Sequence, residues 1–61
     1  METRRSLMAK LHIARKDLGL DDDTYRAMLQ NLTGKRSSAD CTDRQLVMLI
    51  AALRKRGWKD S

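Results

Sequence analysis

The chain has no proline, one cysteine, one histidine and only three glycines in 61 residues. With Cys41 alone no intrachain disulfide can form, and Cys41 with His12 is too small a set for a Cys-rich zinc site. His12 is the only imidazole that could serve as a general base. It falls beside the apolar stripe of its helix, so a nucleophile–base pair has no support. No stretch approaches the roughly 18 apolar residues of a membrane span. Arg4 and Arg5 lead into a mixed sequence rather than the apolar run of a signal peptide. We therefore expect a cytoplasmic protein that is not an enzyme, takes no cofactor, metal or small-molecule substrate, and does not engage a membrane.

A chain this short makes a single domain, 1–61, and buries only about 60% of the surface that its unfolded form exposes. A core of this size rarely contributes more than roughly 3–5 kcal/mol of net stability. What the chain has in excess is positive charge, +5 net with an isoelectric point near 10.0. That balance favours an anionic partner, nucleic acid first and an acidic protein surface second. The charge is uneven, because residues 21–33 sum to −2 inside a basic protein.

The glycines at 19, 34 and 57 each follow an apolar-periodic segment, where a left-handed helix terminus is expected. They punctuate three helices, at about 3–18, 22–33 and 43–56, and the fold class is an all-α, compact three-helix domain. In the first helix Leu7, Leu11, Ala14 and Leu18 share one face, with Thr3 as N-cap. Asp21 caps the second, and Asp22 and Asp23 lie in its first turn, where the helix dipole favours negative charge. Tyr25, Met28, Leu29 and Leu32 form its inward stripe, with Leu20 packing on Tyr25 as a hydrophobic staple.

Thr42-Asp43-Arg44-Gln45 is a capping box that starts the third helix. Cys41 and Leu46 take the staple positions around it, and we read Cys41 as a small buried packing residue. Leu46, Leu49, Ile50 and Leu53 point inward, but the run from Leu46 to Leu53 is apolar all round. Either this helix is central and touched on two sides, or Val47, Met48 and Ala51 face a partner chain. Ile13 lies off the first helix's stripe and joins them as a partner-binding candidate.

Two motifs with chemical overtones fall away. Asp21-Asp22-Asp23 lacks the spaced oxygen ligands and glycine of a calcium loop. Gly34-Lys35 lacks the first glycine and the strand of a phosphate loop. The stretch Ala14 to Leu20 followed by Thr24-Tyr25 looks like a helix-turn-helix, but five residues instead of four separate Ala14 from Gly19. Its second helix would also present three aspartates to DNA. A better nucleic-acid surface is the basic one: Arg4 and Arg5 at the start, Lys35 and Arg36 in the middle loop, and Arg54, Lys55, Arg56 and Lys59 at the end. In a three-helix bundle these can converge on one face.

With the helices in place, the string Ala9-Lys10-Leu11-His12-Ile13-Ala14-Arg15-Lys16, then Leu18-Gly19-Leu20-Asp21-Asp22-Asp23-Thr24-Tyr25-Arg26-Ala27-Met28-Leu29, resembles the opening of the GemA-like regulatory proteins of Mu-like phages and prophages. The resemblance runs on through 33–40, the Thr42-Asp43 cap, Leu53-Arg54 and Gly57-Trp58. It implies an early phage protein that modulates host gene expression in the host cytoplasm, linked to DNA supercoiling or host replication, with no catalytic or ligand residues. Cys41 stands where relatives tend to carry a larger aliphatic residue. The chain also ends where relatives usually continue, so this module is expected to be the N-terminal part of a longer architecture.

Two partners follow. In one the module binds DNA or a DNA-associated host complex through the basic residues. In the other it docks on a host enzyme or a second copy of itself through Val47, Met48, Ala51, Ile13 and Trp58, and charge only steers encounter. Trp58 separates them: buried, it covers the core after the third helix; exposed, it anchors a partner or stacks on a base. Burial is the expectation.

Overall fold

Each helix begins on the side chain expected to cap it. In a computed structural model, which describes residues 3–59, α1 spans Arg4–Asp17, α2 Asp22–Thr33 and α3 Asp43–Lys55. Thr3 Oγ1 accepts from the Ser6 N–H at 3.2 Å, and Asp21 Oδ1 from the Thr24 N–H at 2.7 Å. The capping box is complete, with Gln45 N–H donating to Thr42 Oγ1 at 3.2 Å and Thr42 N–H to Gln45 Oε1 at 2.9 Å. These contacts satisfy donors that the first turn of a helix otherwise leaves orphaned. One element was not anticipated, a single 3-10 turn over Ser38–Asp40.

The helix ends follow from glycine. Gly19, at φ +65°, lets Gly19 N–H reach the Lys16 carbonyl and Leu20 N–H the Arg15 carbonyl, both at 3.1 Å. Gly57, at φ +111°, repeats the arrangement with Gly57 N–H on Arg54 and Trp58 N–H on Leu53. This double bond pattern turns the chain sharply and returns the residue after the glycine to the helix's own last turn. Leu20 and Trp58 are thereby folded back onto the core.

The relative directions of the helices can be read from side-chain contacts. Arg4 Nη1 lies 3.1 Å from Asp43 Oδ1, which joins the beginnings of α1 and α3. The Trp58 indole N–H donates to Asp17 Oδ2 at 3.0 Å, which joins their ends. So α1 and α3 run in the same direction. The α2 helix runs the opposite way, because the Gln45 side chain near the start of α3 donates to the Thr33 carbonyl at its end, at 3.3 Å. The apolar side of α3 meets both other helices, and Leu11, Leu29, Leu46, Leu49 and Leu53 are fully enclosed. The radius of gyration is 10.5 Å, that of a folded domain of this length.

Three details differ from expectation. Leu32 is 39% exposed rather than inward; it lies in the last turn of α2, and Thr33 next to it turns its hydroxyl back to the Leu29 carbonyl at 2.7 Å. Leu18 is only half-buried because the helix stops at Asp17. The third concerns α3, which takes the central position of the first alternative without becoming buried all round. It packs on two helices and still leaves Val47 and Met48 exposed, at 52% and 45%.

Candidate nucleic-acid interface

The basic side chains come from both ends of the α1–α3 pair and from the loop after α2. Arg4 is engaged inside the molecule, its guanidinium reaching Asp43 and, at 2.8 Å, the Ala39 carbonyl. It works first as a clasp between α1, the 3-10 turn and α3. Arg5, Lys35 and Arg36 are exposed and form no ion pair among the described residues. Arg54, Lys55, Arg56 and Lys59 are also exposed. They sit at the far end, beside the close of α1, where Arg54 and Lys55 complement the negative pole of α3. Arg4 and Asp17 stand thirteen helical steps apart, which puts about 20 Å between the two cationic ends.

Arg36 joins a group that sequence reading missed. The loop after Gly34 folds back along α2 and sets Arg36, Ser37 and Ser38 opposite Arg15 of α1 and Arg26 of α2. The cleft between them has a volume of about 190 Å³ and is also lined by Asp22, Tyr25 and Leu29. Arg26 and Arg36 continue into a neighbouring depression with Gln30. Asp22 bonds Arg15, and its other oxygen lies 3.3 Å from Arg26. Arg15 Cζ sits 4.7 Å from the Tyr25 ring centroid, a cation–π contact.

Tyr25 is 6% exposed, and its hydroxyl is sealed from water with no hydrogen-bond partner. Burial pushes the phenol above its usual range, opposed by the nearby Ser38 hydroxyl and the Arg15 charge. Ser38 comes close without closing a well-formed hydrogen bond. The signal in the sequence was slight: Arg15 and Arg26 each follow a residue that is now buried, Ala14 and Tyr25, and so stand at the margin of the core.

Of the partner-binding candidates, Ile13, Val47, Met48 and Ala51 are exposed. Trp58 is not, and its assignment to a docking surface is corrected. It is 6% exposed, because left-handed Gly57 turns it inward and Asp17 accepts from its indole N–H. Cys41 is buried as expected, its Sγ 3.7 Å from Thr33 Oγ1 and 3.6 Å from the Ser37 carbonyl. Asp21 spends its carboxylate on the α2 cap, and the Thr24 hydrogen bonds lower its pKa. His12 is exposed. Among the described residues no helix is long and apolar enough to cross a membrane.

The molecule is thus a small basic all-α module that offers cationic side chains from several segments. Residues 20–61 match the family model described as the GemA protein of bacteriophage Mu, and the chain belongs to that family. It is 47% identical over 57 residues to the GemA protein of Escherichia phage Mu, covering 93% of this chain and 31% of that protein. The GemA protein of Escherichia phage D108 gives the same identity and coverage. The Mu-like prophage FluMu protein gp16 of Haemophilus influenzae is 32% identical over 59 residues, 97% of this chain and 32% of that protein. The chain spans about a third of the length of these curated relatives. No solved structure matches it.

Proposed function

We propose that this module modulates host gene expression from the host cytoplasm by binding the phosphate backbone of duplex DNA, alone or within a DNA-bound host complex, without a catalytic step. The observation that carries the reading is exposed positive charge without internal partners. Arg5, Lys35, Arg36, Lys55, Arg56 and Lys59 have no carboxylate partner among the described residues, so each is available to a phosphate. Two cationic ends about 20 Å apart would reach phosphates separated by about six base pairs. Charge of this kind fixes register and affinity and carries no base sequence.

The test is fluorescence anisotropy of labelled duplex across a salt series. Five phosphate contacts give a log–log slope near −4.5, and the double variant Lys35→Ala/Arg36→Ala should flatten it by about 1.8. The triple variant Arg54→Ala/Lys55→Ala/Arg56→Ala should flatten it further. Absence of binding at low salt would refute the reading.

A second reading, a protein-binding module, draws on Ile13, Val47 and Met48, which keep about half of their surface in water. Exposed apolar side chains grouped on a surface can serve a homodimer or a host-enzyme contact. Sedimentation of the isolated module, and of a Val47→Ser/Met48→Ser variant, tests the homodimer.

A further inference from the structure

We infer that the cleft between α1, α2 and the loop 34–41 is a phosphate-binding site in which Arg15, Arg26 and Arg36 supply the charge and Ser37 and Ser38 the neutral donors. The inference does not rest on the DNA reading, because the cleft is defined by its own chemistry.

Three arginines from three separate segments line one opening, with the Arg15 and Arg26 guanidinium groups meeting on Asp22, and such a concentration of positive charge favours an anion. The lining holds one carboxylate, Asp22, already shared by Arg15 and Arg26. Three guanidinium groups against one carboxylate leave two positive charges in excess, which a phosphate dianion would neutralise. Arg36 has no ion pair among the described residues. The Arg26–Asp22 pair is 69% and 57% exposed, and exposed pairs are weak, so Arg26 is easily recruited by a ligand. Arg15 is already oriented by the Tyr25 ring and Asp22.

A second observation points to the same ligand. The Tyr25 hydroxyl belongs to a residue of the cleft wall, is closed off from water, and donates to nothing. Buried hydroxyls are nearly always satisfied. A tetrahedral oxyanion held by the arginines would give it an acceptor after a small shift of Ser38. Ser37 Oγ accepts the Ala39 N–H at 3.3 Å, which leaves its own proton to donate. At about 190 Å³ the cleft is smaller than the roughly 300–1,000 Å³ of sites that enclose a drug-sized molecule. It takes a phosphate group, not a whole nucleotide.

The probe is inorganic phosphate, titrated into the labelled module while the arginine Nε–Hε resonances are followed, with chloride at matched ionic strength as reference. The expected result is saturable shifts of the Arg15, Arg26 and Arg36 signals with phosphate only. Arg36→Ala, in an exposed loop, should bind about tenfold more weakly through loss of one charge-assisted pair. Tyr25→Phe should bind a few-fold more weakly, and Arg44→Ala, exposed at the start of α3, like the parent. Shifts that stay linear and match chloride, or an Arg36→Ala variant with parental affinity, would overturn the inference.

Competition by blunt duplexes then identifies the source of the group. Displacement by any duplex assigns a backbone diester, displacement only by 5′-phosphorylated duplex a terminal phosphate, and none a free phosphate or small ester. All three outcomes presuppose the saturable site. A module that binds phosphate but no duplex would sink the DNA reading and leave this one standing.

Discussion

Replacing Trp58 by alanine should unfold much of the population, and the structure sets the magnitude. The side chain is 6% exposed, and an aromatic residue of this kind removes about 150–250 Å² from water. At about 25 cal/mol/Å² that is about 4–6 kcal/mol, an upper figure because the unfolded chain already buries part of it. Measured aromatic-to-alanine substitutions in cores cost about 3–5 kcal/mol. Since the net stability of so small a domain is roughly 3–5 kcal/mol, the loss is comparable with the whole. Trp58→Phe separates packing from the hydrogen bond to Asp17: it keeps most of the buried area, loses the indole donor, and should cost about 1 kcal/mol. Thermal unfolding followed by far-UV circular dichroism reads both. The phenylalanine variant should melt about 4–8 °C below the parent, and the alanine variant should show little or no cooperative transition. An alanine variant that melts cooperatively within about 4 °C of the parent would refute the placement of Trp58 in the core.

Tyr25→Phe should be at least as stable as the parent, by up to about 1 kcal/mol, because it removes a buried hydroxyl with no partner. The Tyr25 phenol is raised above 10.0 in the folded state, so its contribution to stability is fully present below pH 10 and is lost as pH rises past it. The difference between parent and variant melting temperatures across that range should change in the variant's favour; a constant difference would count against burial of the phenol. At the acid end, Asp21 is held below 3.8 by its bonds to Thr24. Its contribution is therefore present above pH 3.8 and lost as pH falls through the lower folded value. Asp21→Asn keeps a capping oxygen and should flatten this limb of the melting-temperature profile without shortening α2, as seen by amide chemical shifts.

The helix boundaries were legible because caps and glycines act locally. Thr3, Asp21 and Thr42 each bond a backbone N–H three residues away, and Gly19 and Gly57 take the positive φ that a terminating turn needs. A reader of the sequence can find such signals without knowing the fold. The inward stripes were legible too, except at Leu32, where the last turn of α2 rises out of the core, and in part at Leu18, which lies just past the end of α1. The cleft was not legible. Arg15, Arg26 and Arg36 come together only because the loop after Gly34 doubles back along α2, and no periodicity encodes a loop's path. The same applies to the cationic ends. Only the contacts Arg4–Asp43 and Asp17–Trp58 set the basic residues near the two termini a helix length apart.

The shared direction of α1 and α3 has a consequence for how the chain reaches this state. The contacts that fix it join residues 39 and 41 positions apart in a chain of 61. The α1 helix packs chiefly on α3, and α2 also packs on α3. During synthesis the first two helices therefore have little to close against until the last third of the chain has emerged. A hairpin of α1 and α2 should not persist alone, and the rate of folding should be governed by the long closure that seats α3.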